Sequence, residues 1–258
     1  MTNARRPRAL QVALVQAAIV IAIVVAWQFC ANQRWINPFF YGEPLGVLQV
    51  GAKVIGNGSL LRNLAITLAE TLVAFVVGMV VGSAAGLLLW WSPFWARVVD
   101  PFLALFNALP KIALAPMFVI WFGVGFGMKV ALAFSLVSVI ACMVAYDGTK
   151  QIDRDLRRMM ETLGASKRQQ FAKLVLPSCL PWIFSALRMC IGFALLGAVV
   201  GEFISSTEGL GFLIASGSSV YDLNLVWVAL TTLLVLSALL QFVVGRLENR
   251  LLSHRRTH

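Results

Sequence analysis

Residues 153–177 read DRDLRRMMETLGASKRQQFAKLVLP, the only long polar stretch in a chain that is otherwise largely hydrocarbon. Leu156, Met159, Met160 and Leu163 stand at i, i+3, i+4 and i+7, the spacing of a helix with one apolar face. Gly164 supplies a residue that closes such a helix in the left-handed conformation. Ser166 and Gln169 make the Ser-x-x-Gln pattern in which each residue caps the other's backbone, so a second short helix starts there. Its apolar positions are Phe171, Leu174 and Val175, and Pro177 is expected to end it. The stretch therefore predicts a helix-turn-helix with an apolar face to offer, lying between two apolar runs.

The rest of the chain says where that stretch must lie. Of 258 residues, 60% are hydrophobic and only 12% charged, and the mean hydropathy is +0.85. A soluble domain carries about 25% charged residues, so this composition belongs to a membrane protein. Apolar runs fall at 12–30, 64–91, 102–121, 130–146, 180–204 and 225–244. Each suits a helix crossing the bilayer, which takes roughly 20 residues. The expectation is an all-α polytopic membrane protein, one domain over 1–258, with six spans and the polar segment 150–177 between the fourth and fifth. Arg5-Arg6-Pro7-Arg8 ahead of the first run imitates a secretory signal, but no small-x-small cleavage site follows, and a retained span is expected. Cys30, Cys142, Cys179 and Cys190 lie in or beside apolar runs with no metal or redox spacing, and read as small buried side chains.

Orientation follows from the 21 Lys and Arg. With six spans and the amino terminus inside, only Arg34, Lys53, Arg62 and Lys129 fall in outer connections, and Lys111 and Arg188 fall within or at the edge of spans. All the others are inside, which is the bias of cytoplasmic loops. Both termini and the stretch 153–177 are thereby expected in the cytoplasm, and the net charge of +10 needs no nucleic acid to explain it. The connection 31–63 holds Pro38, Pro44 and an amphipathic piece, 45–55, expected to lie along the membrane surface. The third run is interrupted by Pro110 and Pro116 beside Asn107 and Lys111, so it is expected to kink or unwind, as backbone at membrane depth does where it packs on protein or lines a cavity. The Gly- and Ser-rich connection 205–224 carries a short apolar piece, 210–215, read as a re-entrant or surface helix.

Gly78, Gly82 and Gly86 recur every four residues, as do Gly197 and Gly201, a spacing that lets helices approach closely in lipid. They read as helix-packing positions, with a subunit interface as the sharper alternative. Glu70, Arg188 and Glu202 stand inside apolar runs, where an ionisable group needs a partner or water. Glu202 reads equally as lining a path or as structurally paired; Glu70 and Arg188 read as paired or snorkelling. Little supports an enzyme. His254 and His258 lack a metal-ligand spacing, no Gly-x-Ser-x-Gly elbow occurs, and the loop 123–129 places Met128 where a phosphate-binding loop needs Lys.

From Gly164, nine residues lead to Leu174-Val175-Leu176-Pro177. In this the stretch resembles the cytoplasmic signature of ABC importer permeases, a Glu-Ala-Ala triplet, three residues, Gly, nine residues and Ile-x-Leu-Pro. The triplet position holds Arg158-Met159-Met160 instead, and an acid follows at Glu161, one turn on. Pro110-Lys111-Ile112-Ala113-Leu114-Ala115-Pro116 leading to Ile120-Trp121-Phe122-Gly123 is similar to the nitrate/sulfonate/taurine group, as is Gly201-Glu202-Phe203-Ile204 leading to Gly209-Leu210-Gly211. The resemblance runs over about 45–247. It implies a permease subunit in a bacterial cytoplasmic (inner) membrane, paired with a second copy of itself as a homodimer. It also implies two ABC ATPase subunits, which bind ATP and Mg where this chain binds no cofactor, and a periplasmic or lipid-anchored solute-binding protein. The coupling segment would comprise Leu156, Arg158, Met159, Met160, Glu161, Leu163, Gly164, Phe171, Leu174, Leu176 and Pro177, with an acid on the ATPase facing Arg158. The candidate translocation path is Asn107, Lys111 and Glu202. The implied solutes are nitrate, sulfonates and taurine, with thiamine-precursor pyrimidines as the alternative. The rival classes are an ATP-independent transporter or channel and a membrane-embedded enzyme, and for the stretch itself an amphipathic hairpin lying on anionic lipid.

Overall fold

The computed structural model describes residues 9–253, and every regular element among them is helical. In chain order these are α1 (Ala9–Asn32), α2 (Pro38–Tyr41), α3 (Pro44–Gly56), α4 (Ser59–Leu89), α5 (Pro93–Ala108), α6 (Ala115–Phe122), α7 (Phe126–Lys150), α8 (Arg154–Thr162), α9 (Lys167–Gln170), α10 (Leu176–Ile204), α11 (Leu210–Ser219) and α12 (Leu223–Ser253). Among the described residues five helices are long and apolar enough to cross a membrane, and six spans result when the bent pair α5 and α6 counts as one. Arg5, Arg6, Arg8, His254, Arg255, Arg256 and His258, on which part of the charge argument rests, lie outside the described residues. Contacts group the chain into two compact units, one running to Leu60 and including Leu213–Thr231, the other made of Leu61–Phe212 and the chain from Thr232 onward.

The second unit is built on α4, α7 and α10. In hydrocarbon there is no hydrophobic force to drive helices together, so close backbone approach and van der Waals contact must do it. The glycine row of α4 supplies that approach. A Cβ at Gly78 would meet the Val137 side chain, and at Gly82 and Gly86 it would run into the Ser138 and Cys142 carbonyls of α7. Gly197 and Gly201 of α10 sit in the same way on Ala133 and Lys129 of α7. Along the seam Met79, Val137, Ala141, Ala186, Cys190 and Ala194 form a buried core. Ala115, Met128 and Leu132 make a second core where α6 meets α7. The glycines thus serve helix packing within this chain.

The third span is broken more completely than a kink. Residues before proline are pushed to extended backbone, and Leu109 has φ −64° and ψ 130°, which ends α5. A 3-10 turn, Lys111–Leu114, follows, and Pro116 enters the first turn of α6, where its missing N–H costs nothing. The two arms meet at 80°. The span also begins at Pro93, earlier than the apolar run starting at 102, because Ser92 caps Trp95 N–H and Pro93 opens the helix.

One expectation is overturned in this unit. Pro177 does not end a helix, because the chain is continuously helical from Lys167 to Ile204. A π turn, Phe171–Val175, widens the backbone just ahead of it, which relieves the clash between a proline ring and the carbonyl four residues back. Arg188 finds its partner in Glu248 of α12 at 2.9 Å, with Gly245 leaving room for the guanidinium.

In the first unit, α3 forms over the expected amphipathic piece. Its opening N–H groups have no helical partners, and side chains replace them: Gln28 of α1 accepts from Leu45 N–H at 3.0 Å and Asn224 accepts from Glu43 N–H at 3.0 Å. Trp227 packs on Trp27 with ring centroids 5.0 Å apart and donates to the Tyr41 carbonyl at 2.8 Å.

Because Gly86 faces a backbone carbonyl that cannot move alone, Gly86→Leu is expected to destabilise the protein by about 1–3 kcal/mol or more through overpacking. Thermal unfolding of the protein in nanodiscs measures this, and an unchanged melting temperature refutes the close α4–α7 packing.

Candidate functional site

The polar stretch folds as two short helices joined by a tight turn, with each joint made by residues the sequence supplies. Asp153 accepts from Asp155 N–H at 2.8 Å and caps α8. At the other end Gly164 has φ +73°, its N–H reaches the Glu161 carbonyl at 3.0 Å, and Ala165 N–H reaches that of Met160 at 2.9 Å. This is the Schellman closure. Ser166 and Gln169 then cap each other's backbone at 2.8 and 3.3 Å, and α9 begins.

The hairpin is braced from one side and open on the other. Phe171 packs against Trp90 and Trp91 at 5.8 and 5.1 Å and belongs to a core cluster with Leu87, Ala145, Val175 and Cys179. Lys167 Nζ donates to the Trp91 carbonyl at 2.8 Å, and the Arg157 guanidinium lies 5.7 Å from the Trp90 ring centre. Leu156, Met159 and Leu163 are 50%, 60% and 72% exposed, while Met160 is half-buried. An exposed apolar row on so polar a helix is the informative kind of exposure. Phe171, assigned by sequence to the coupling segment, is part of the brace. Leu174 and Pro177 are half-buried and Leu176 is at the margin of exposure. Glu161 pairs with Arg157 at 3.3 Å, whereas Arg158 projects outward with Asp155 3.8 Å away.

The candidate path residues do not form one cluster. Asn107 is exposed near the end of α5, and Lys111 opens the 3-10 turn with its side chain tucked in. Glu202 is buried between helices. It is 1% exposed, accepts from the Thr67 hydroxyl and from Gly211 N–H, both at 2.7 Å, and so fastens α10 to α4 and to the first turn of α11. Thr67 in turn accepts from Leu210 N–H at 2.9 Å, and Asn63 from Gly209 N–H at 2.6 Å. Glu70 is ion-paired with Lys129, a residue the charge count places in an outer connection but which is buried in the first turn of α7. A lysine opening an apolar run is the signal that would have located it, since an acid inside a span needs a partner. Among the described residues no group of His, Cys, Asp and Glu is arranged to hold a metal.

The chain belongs to the family described as binding-protein-dependent transport system inner membrane component, whose model matches residues 74–253. It is an ABC importer permease, a non-catalytic multi-pass subunit of the inner membrane. The formylaminopyrimidine transport permease protein ThiX of Halalkalibacterium halodurans is 31% identical over 95% of this chain and 97% of its own length. The taurine transport system permease protein TauC of Escherichia coli is 28% identical over 96% and 91%. The fold is shared with the MetNI methionine ABC transporter in inward-facing conformations, at TM-score 0.66 and 21% identity over 74% of this chain and 95% of that one. A bacterial ABC transporter involved in the import of alginate matches at TM-score 0.66 and 13% identity over 93% and 95%.

A β-branched residue at φ +73° is strained by roughly 1–2 kcal/mol. Gly164→Val is therefore expected to speed amide hydrogen exchange across 154–170 by about 5- to 30-fold while α7 and α10 keep their protection; no change across 154–170 refutes the turn's role.

Proposed function

We propose that α8 and α9 form the coupling segment through which a cytoplasmic ATPase drives this permease, and that two copies of the chain with two ATPases make one importer. The observation that carries the reading is the exposed row Leu156, Met159 and Leu163 on a hairpin braced by Trp90, Trp91 and Phe171. An apolar helix face of this size fits the helix-in-groove mode of recognition, and the brace lets a push on α8 reach α4 and α10 as a movement of packed helices. In this reading ATP and Mg are bound by the ATPase, both termini are cytoplasmic, and the membrane segment is a single permease domain. Arg158, an exposed cation of the hairpin, faces an acid on the ATPase in place of the acid the family signature carries on the permease. The bend at Lys111 and the adjoining Asn107 border the translocation path, where broken backbone offers polar groups to a solute at membrane depth.

Met159→Asp and Gly164→Pro are expected to abolish co-purification of the ATPase and ATP-driven uptake while membrane insertion persists. Arg158→Glu is expected to weaken association by about 5-fold or more, the worth of a close charge pair. Survival of complex and uptake in the first two variants refutes the coupling assignment.

The solute is a small polar molecule handed over by an extracytoplasmic binding protein. Similarity to TauC and to the putative aliphatic sulfonates transport permease SsuC of Bacillus subtilis supports a sulfonate or taurine, within the nitrate/sulfonate/taurine group. The 31% identity to ThiX supports a formylaminopyrimidine as the second reading. A thermal-shift panel on the cognate binding protein separates them: stabilisation by taurine or alkanesulfonates and not by formylaminopyrimidine is the expected result, and the converse selects the second.

A further inference from the structure

The root of the hairpin holds a cavity of about 230 Å³. Trp90 after α4, Pro93 at the start of α5, Lys150 at the end of α7, Arg154 and Arg157 of α8, and Leu174 of the π turn stand on its wall. All of these elements belong to the second unit. The charged residues of the wall are all cations. The volume is below the roughly 300–1,000 Å³ of a pocket that takes a whole small molecule, and it suits a single charged group.

These cations are not equally compensated. Lys150 donates to Asp100 and Asp147 at 3.3 and 3.1 Å, and Arg157 to Glu161 at 3.3 Å. The acids at the start of α8 are engaged elsewhere, since Asp153 accepts from Asp155 N–H and Asp155 lies 3.8 Å from Arg158. The Arg154 side chain has no hydrogen bond or ion pair among the described residues. Arg154 also opens α8 directly after its Asp153 cap, the end of a helix where the dipole disfavours a cation. An anion in the cavity answers both costs.

The source of that anion follows from the level at which the cavity lies. α4 ends at Leu89 and α7 at Lys150, Trp90 and Trp91 follow α4, and Phe94 and Trp95 at the start of α5 are exposed. Aromatic residues at the ends of spans mark the headgroup level of a bilayer, where the abundant anion is a lipid phosphate. A choline or ethanolamine headgroup brings its own cation, which the wall repels. We propose that the root of the hairpin binds the phosphate headgroup of one anionic phospholipid, with Arg154 as its main contact and Arg157 and Lys150 beside it. The lipid bridges α8 to α5 and α7 on the braced side and leaves Leu156, Met159 and Leu163 uncovered, unlike a hairpin that lies on lipid with its apolar face. The site depends on neither the solute nor the ATPase assignment.

The test is amide hydrogen exchange of the full-length chain in nanodiscs of phosphatidylcholine, alone or mixed with phosphatidylglycerol. No ATPase is present, so the outcome is independent of coupling. Phosphatidylglycerol is expected to slow exchange across 153–160 by about 5-fold or more, the effect of one basic residue held at an anionic surface. Because Arg154 has no partner to lose, Arg154→Gln is expected to leave exchange in phosphatidylcholine unchanged and to cancel the response to phosphatidylglycerol. Arg168→Gln, which removes an exposed cation of α9 outside the cavity, is expected to keep that response. Four results overturn the proposal: no slowing by phosphatidylglycerol, the same slowing in Arg154→Gln, its loss in Arg168→Gln, or equal slowing by inorganic phosphate in phosphatidylcholine alone.

Discussion

Inside hydrocarbon a polar group has only the protein for a partner, and most of this structure is an answer to that constraint. It makes every described element helical, because a helix satisfies its own backbone. It also explains the exceptions. Where Pro110 interrupts the ladder, the chain bends by 80° and the freed segment packs against α7. Where Pro177 would clash, a π turn absorbs it without ending the helix. Where Gly209, Leu210 and Gly211 expose N–H groups at the start of α11, Asn63, Thr67 and Glu202 supply acceptors from two other helices.

The same constraint governs the charges. Glu70, Arg188 and Glu202 stand in apolar runs, and each is tied down by another element: Lys129, Glu248, and Thr67 with Gly211. These links join α4 to α7, α10 to α12, and α10 to both α4 and α11, so the polar contacts lie between helices that lipid cannot press together. The glycine rows do the complementary work. By bringing the α4 and α10 backbones onto α7 they replace a hydrophobic force that is absent in this solvent with dispersion at short range.

The hairpin α8–α9 follows a different rule, because it is polar and answers to water. Its shape is set locally, by Asp153, the Gly164 turn and the Ser166–Gln169 cap, and its attachment is set by the Trp90, Trp91 and Phe171 rings with the Lys167 and Arg157 contacts. Shape and attachment are therefore separable. Leu156, Met159 and Leu163 remain exposed on the hairpin, an apolar row on a polar helix.

Much was legible in the sequence because it is local. The apolar runs specified the helices, the capping residues specified the hairpin, the prolines located the broken span, and the Gly164 to Pro177 spacing with two further patches pointed to the permease family. Other features were decided only by the fold, because they pair residues far apart in the chain. Phe171 shares the apolar period of its neighbours, yet the proximity of Trp90 and Trp91 makes it a brace. Lys129 counts as a loop residue until α7 starts at Phe126 and carries it against Glu70. The partners of Glu202, Thr67 and Gly211, come from positions 135 and 9 residues away and are brought to it only by the fold. Periodicity and capping act over a few residues and can be read in order, whereas the partner of a buried charge is set by which helices stand side by side.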